Sequence, residues 1–268
     1  MYPTIHLAYE LRDNQELQLN YSKRVNRADS DEMNPFPEYS DPRNMEAGNP
    51  KAKPEQIHSI EFGYQLKTKA FSILPCLYYR YKYDGFAEIT KYVNDSVLLK
   101  TFTNLSKSEF MGMELIISAN IGEIANLNFS ANGYYTRLDA SNIGYSNNKR
   151  AFSCDTKLGA NFNVTKSTLL QLNCFYRSEK INAQGTTDPS FYTNIGLRQD
   201  IWKNKASLIL TISDVFNTLN QFNYIDTPEL WQKSTRKRDS QILYLGFTYR
   251  FGTSAKKERQ ELNYDDSF

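Results

Sequence analysis

No run of 18 apolar residues occurs anywhere in the chain, so a membrane-spanning helix is excluded at the outset. Histidine is nearly absent, with only His6 and His58, and the three cysteines, Cys76, Cys154 and Cys174, show no C-x-x-C spacing. That leaves little from which to build a zinc centre or a nucleophile–histidine pair, and the cysteines read as small wall residues. No catalytic set, metal site or cofactor is expected. An excess of either charge is also missing: 32 basic residues against 30 acidic ones give a formal net charge of +2, which implies no surface for nucleic acid. The opening residues, Met1-Tyr-Pro-Thr-Ile-His6, have neither a basic segment nor an apolar core and do not form a signal peptide. An exporting sequence would have to lie upstream of them.

What the chain does have is aromatic: 19 Tyr and 16 Phe lift aromatics to 14%, while the mean hydropathy of −0.61 is that of a polar protein. The stretch Gln241–Phe251 shows how both can hold. Leu243, Leu245, Phe247, Tyr249 and Phe251 fall on one side of an extended chain and Tyr244, Gly246, Thr248 and Arg250 on the other, because side chains alternate faces in a strand. Strands of a transmembrane β-barrel alternate in this way over the 9–11 residues that cross the hydrocarbon, so lipid-facing residues average out against water-facing ones.

Counting along the chain gives about 11 such strands. Ile5–Leu11 and Leu17–Tyr21 form a hairpin about Arg12–Gln15, and a connection from about Asn26 to Glu55 carries five of the nine prolines, which cannot serve a ladder. Then Ile57–Leu66 turns tightly into Phe71–Tyr83, and an excursion runs through about Lys91–Asn104. Phe110–Ile121 turns into Leu127–Arg137, Phe152–Val164 into Leu169–Arg177, and Phe191–Trp202 into Ala206–Ser213. Between these pairs lie the polar loops Asp139–Lys149 and Glu179–Pro189, and a loop of about 25 residues precedes the closing strand. Short and long connections take turns without a break, as they do between the periplasmic and extracellular ends of an outer-membrane barrel. Asn142 and Gln184, in long loops, are expected to be reachable from outside the cell.

Phase exceptions are few: Ile209, Ile242 and Phe175 sit among polar positions and Gln199 among apolar ones. Aromatics gather at two levels, with Tyr79, Tyr81, Tyr135 and Tyr176 toward the long loops and Trp202, Phe162 and Phe251 toward the short turns, as expected where rings meet headgroups. A soluble sandwich or solenoid would also alternate. Long strands, asymmetric connections and two aromatic levels argue against it. The fold class expected is therefore all-β, a transmembrane antiparallel up-and-down β-barrel over residues 1–252, with a charged periplasmic tail over 253–268.

Several segments carry a resemblance. Asn34-Pro-Phe36, Asp41-Pro42 and Gly48-Asn-Pro-Lys-Ala-Lys-Pro-Glu55 look like the G-N-P-x-L-x-P-E region of TonB-dependent outer-membrane receptors, with Ala52 where the family usually has Leu. Asn104 with Gly112-Met-Glu114 resembles the family's N…G-x-E strand opening. Ser213-Asp-Val-Phe-Asn217 is similar to its S-D-[LV]-F-N element, and Tyr249-Arg-Phe-Gly252 to its barrel terminus. The likeness spans residues 1–252, and its texture is closest to receptors of Bacteroidetes. It implies a 22-strand barrel with an N-terminal plug, of which this chain would be the C-terminal half, lacking the plug and the TonB box. Eleven is an odd number, and open edges in lipid leave unsatisfied backbone groups, which also suggests a fragment, a truncated frame or a split gene.

The resemblance implies energised nutrient uptake of a siderophore, cobalamin or glycan, with outer-membrane lipid around the barrel. The partners it implies are TonB–ExbB–ExbD through a plug absent from this chain, and a SusD-like lipoprotein if the ligand is a glycan. The residues alone also admit a passive channel or a structural barrel. Candidate binding groups are Arg27, Asn34, Phe36, Tyr39 and Asp41 in the first long loop and Tyr224 and Trp231 in the last, which offer stacking and hydrogen bonding to a sugar or aromatic ligand. Asn34, Asp41 and Gly48 also suit plain turn chemistry.

Overall fold

The computed structural model describes residues 2–144 and 149–251, so the expected tail at 253–268 and the middle of the Asp139–Lys149 loop lie outside the described residues. In chain order the strands are β1 (Thr4–Arg12), β2 (Gln15–Asn26), β3 (Glu38–Asp41), β4 (Asn44–Glu46), β5 (Glu55–Lys67), β6 (Phe71–Asn94), β7 (Val97–Ile121), β8 (Ala125–Asp139) and β9 (Lys149–Thr165). They continue as β10 (Thr168–Arg177), β11 (Lys180–Ile181), β12 (Gly185–Thr187), β13 (Ser190–Ile201), β14 (Ala206–Ser213), β15 (Asn220–Asp226), β16 (Trp231–Lys237) and β17 (Ile242–Tyr249). A single helical turn, α1 (Ser30–Met33), precedes β3.

The main sheet runs β1-β2-β5-β6-β7-β8-β9-β10-β13-β14-β17, each strand antiparallel to its neighbour. That is the 11-strand meander expected from the alternation. Among the described residues β1 and β17 each pair on one side only, so the sheet is open. Register keeps the two chemistries apart. One row across the closing strands reads Leu197–Leu210–Leu245, and the next reads Gly196–Thr211–Tyr244. On the apolar side of the inner strands Phe152 is 69% exposed and Met111 61%, as side chains facing lipid must be. On the polar side Ser59, Ser153 and Ser207 are buried, and the Arg198–Asp200–Ser207–Arg250 chain is hydrogen-bonded from end to end.

The phase exceptions find partners. Gln199 accepts from Thr168 Oγ1 at 2.7 Å and donates to Ser167 Oγ at 3.2 Å, so its amide is satisfied at the short-turn end. Phe175 stacks on Tyr192 at 4.6 Å. Near the short turns Trp202 meets Phe247 and Tyr249 edge-on, and Tyr249 meets Phe251.

The loops differ from expectation. Lys91–Asn104 is no excursion: β6 and β7, at 24 and 25 residues, pair out to a turn where Asn94 Oδ1 accepts the Ser96 and Val97 amides. A membrane crossing uses 9–11 residues, so roughly half of this hairpin stands clear of the bilayer. The loops at 179–189 and 214–241 are not irregular either, because they join as a second sheet, β11-β12-β15-β16. Gly185 permits that union, since a Cβ there would run into the Tyr224 carbonyl.

Candidate ligand-binding site

The hairpin of β6 and β7 is held from both edges. Along β7, β4 adds in parallel at Leu98–Lys100. At the free edge of β6, the Gln184 side chain takes the place of a neighbouring strand: its Oε1 accepts the Thr90 amide at 2.6 Å and its Nε2 donates to the Thr90 carbonyl at 2.7 Å. Gln184 is therefore 3% exposed, which corrects the expectation that it would be reachable from outside, whereas Asn142 is exposed. Beneath this contact Ile89, Leu105, Leu138, Ala140 and Ala183 form a buried apolar cluster. Three connections, the β6–β7 hairpin, the one after β8 and the one at 179–189, thus share one core.

The residues behind the family resemblance prove to be the fastenings. Asn104 Nδ2 donates to the carbonyls of Lys53 and Asp84, and its Oδ1 accepts the Lys53 amide. Glu55, 5% exposed, accepts from Lys82 and from the Phe86 amide. Gly48 lies where a Cβ would meet the backbone of Asp31, Glu32 and Asn34 at about 2.5–2.6 Å. Asp214, with φ +43, is fully buried and accepts from the Thr218 and Leu219 amides and the Ser240 hydroxyl. Burial works to raise its carboxyl, but these hydrogen bonds more than offset that and hold it below the usual carboxylate range.

Between the hairpin and the second sheet lies a cleft of about 810 Å³. Gln221, Asn223, Gln232, Ser234 and Arg236 from β15 and β16 form one wall, and Phe86, Glu88, Lys100 and Leu105 from the hairpin form the other. Carboxamides dominate the first wall, and each can both donate and accept. Lys100 bridges Glu88 at 2.9 Å and Glu46 at 3.1 Å. Burial works against its charge, yet the two carboxylates hold its ammonium above the usual lysine value. A second cleft of about 420 Å³ adjoins the first, sharing Thr187, Gln221 and Arg236 with it.

Of the residues singled out from sequence, Tyr224 lines the larger cleft, donates to Asp188 at 3.1 Å and carries the Lys233 ammonium over its ring. Trp231 is 71% exposed at the start of β16. Arg27, Phe36 and Tyr39 are exposed, in the loop that docks on the β7 edge rather than at the cleft. Asn34 and Asp41 accept the amides of Phe36 and Arg43 in local turns. Sequence reasoning passed over Asn182, Gln221, Asn223, Gln232 and the arginines, because amides carry no motif and the Lys233–Arg238 basic run reads as a solvated face.

The model of the outer membrane protein beta-barrel family matches residues 1–249. Among solved structures, the siderophore receptor PirA from Pseudomonas aeruginosa aligns over 81% of this chain and 39% of its own, at 11% identity and TM-score 0.57. The pyoverdine receptor FpvA from Pseudomonas aeruginosa PAO1 aligns over 93% and 36%, at 12% identity and TM-score 0.60. The copper transporter OprC aligns over 83% and 34%, at 12% identity and TM-score 0.58. At such identities the likeness is one of fold, and the chain spans between 34% and 39% of the length of these structures. A sequence search of curated proteins finds no match.

Proposed function

The chain belongs to the outer-membrane β-barrel protein family and is a protein of the cell outer membrane; from that premise we propose that it forms the C-terminal part of a TonB-dependent receptor of the Bacteroidetes type. Its extracellular loops capture a nutrient for energised uptake, whether siderophore, cobalamin or glycan. Supporting the partial-barrel reading are the two edge strands, β1 and β17, which further strands would have to cover in lipid. Coupling to TonB–ExbB–ExbD would run through a plug supplied from outside this chain, and a SusD-like lipoprotein would serve a glycan ligand.

The observation that carries the reading is the roofed cleft. Three loops share a core, and beside it, against β15 and β16 of the last loop, lies a cavity large enough for a small ligand, lined by groups that pair with polar molecules. The test is uptake by cells carrying the full-length protein, offered radioiron as ferric enterobactin, cyanocobalamin, or fluorescently labelled oligosaccharides, with and without an uncoupler. Accumulation of one probe that requires the proton-motive force supports the proposal, and accumulation that survives the uncoupler would mean a passive channel.

A further inference from the structure

The smaller cleft is where charge and an aromatic floor meet. Phe175 points into the polar side of the wall, where water-facing strands of a barrel carry polar residues, and lies nearly parallel to Tyr192, 15° apart at 4.6 Å. Both rings line this cleft. Arg236 and Arg238, exposed at the end of β16 and the residue beyond it, line the same cleft. The two carboxylates of the cleft already have partners other than Arg236 and Arg238. Asp155 is bridged by Arg177 at 3.2 Å and Lys180 at 2.9 Å, and Asp188 accepts from Tyr224. Among the described residues neither Arg236 nor Arg238 has an ion pair. The whole-chain net charge of +2 conceals this local excess, because the run Trp231–Arg238 holds four cations and no acid.

We propose that this cleft is the subsite for the acid group of a carboxylate-bearing saccharide, with the amide-lined cleft beside it holding the neutral remainder of the ligand. A guanidinium fork matches a carboxylate in two parallel hydrogen bonds, and two such forks beside a flat aromatic pair select a ring that bears an anion. The hydroxyls of the neighbouring units need partners that both donate and accept, which Gln221, Asn223 and Gln232 provide. Arg236 lines both clefts and joins the two halves of the site. This inference rests on the capture reading and narrows it to acidic glycans.

The test is binding of an oligogalacturonate and its methyl-esterified counterpart to the full-length protein in detergent, followed by calorimetry. The acid should bind about tenfold or more tightly than the ester, since a hydrogen bond to a charged group contributes roughly 1.5–3 kcal/mol. The preference should shrink with salt. Arg236→Gln and Arg238→Gln should each lower the acid's affinity more than the ester's and so shrink that preference, and Phe175→Ala should weaken both probes alike. Folding of each variant is checked by heat-modifiable mobility. Equal binding of acid and ester, or a preference that both arginine variants retain, overturns the inference while the capture reading stands. Binding of ferric enterobactin with neither saccharide bound overturns it too, and binding of no probe, together with no energised uptake, removes the capture reading as well.

Discussion

Arginine placed at Leu210 or at Thr211 separates the two faces of the wall by a single residue. Leu210 is the fifth of eight residues in β14 and lies between Leu197 and Leu245 on the apolar face. An arginine on the lipid face at the midplane costs about 2–4 kcal/mol, which lowers the folding equilibrium roughly thirty- to nearly a thousandfold. Thr211 lies between Gly196 and Tyr244 on the polar face, and the glycine leaves room for a longer side chain. Thr211→Arg should therefore stay within about 0.5 kcal/mol, as surface changes usually do. Folded fractions of the full-length protein, read by heat-modifiable gel mobility across a urea series, compare the two. Equal losses at both positions would mean that both faces are buried in protein, and the membrane wall would be refuted.

Other outcomes follow from the loop core. Gln184→Ala removes both hydrogen bonds to Thr90 and should loosen the roof by about 1–3 kcal/mol, seen as faster hydrogen exchange at the Thr90 amide with the wall strands unchanged. Asp214 has its carboxyl lowered in the folded state, so its contribution is present above the unfolded value of about 3.9 and is lost only as pH falls through the lower folded value. Trp231 fluorescence in a Trp202→Phe background should accordingly hold steady from neutral pH down to about 4 and change below it. A transition centred near pH 6 would show that another group governs the last loop.

The wall was legible in the sequence because its cause is local. A strand with lipid on one side and water on the other writes its phase at every second residue, and the 11-strand order follows from the alternation of short and long connections. Phe175 stood out from that phase before its stack on Tyr192 and its place in the smaller cleft were known. The loops were not legible, because their strands depend on partners distant in sequence: β12 pairs with β15 about 40 residues on, and Gln184 with Thr90, 94 residues away. The β6–β7 turn did leave a trace, Asn94-Asp-Ser96 between the apolar stretches Tyr92-Val93 and Val97–Leu99, but a hairpin longer than the bilayer is thick has no counterpart in the crossing rule. Asn104, Glu55 and Asp214 were noticed through family likeness, and the structure gives them fastening roles that spacing alone does not reveal.

The cleft can capture a nutrient only if it opens to the outside of the cell while the short turns lie within. With the native cysteines replaced by alanine, a cysteine at Gln232, on the cleft wall, and one at Lys166, in the short turn between β9 and β10, report on the two sides. On intact cells carrying the full-length protein, an impermeant maleimide should label Gln232→Cys, and Lys166→Cys only after the outer membrane is opened. Labelling of Lys166→Cys on intact cells, with Gln232→Cys protected, would contradict the account.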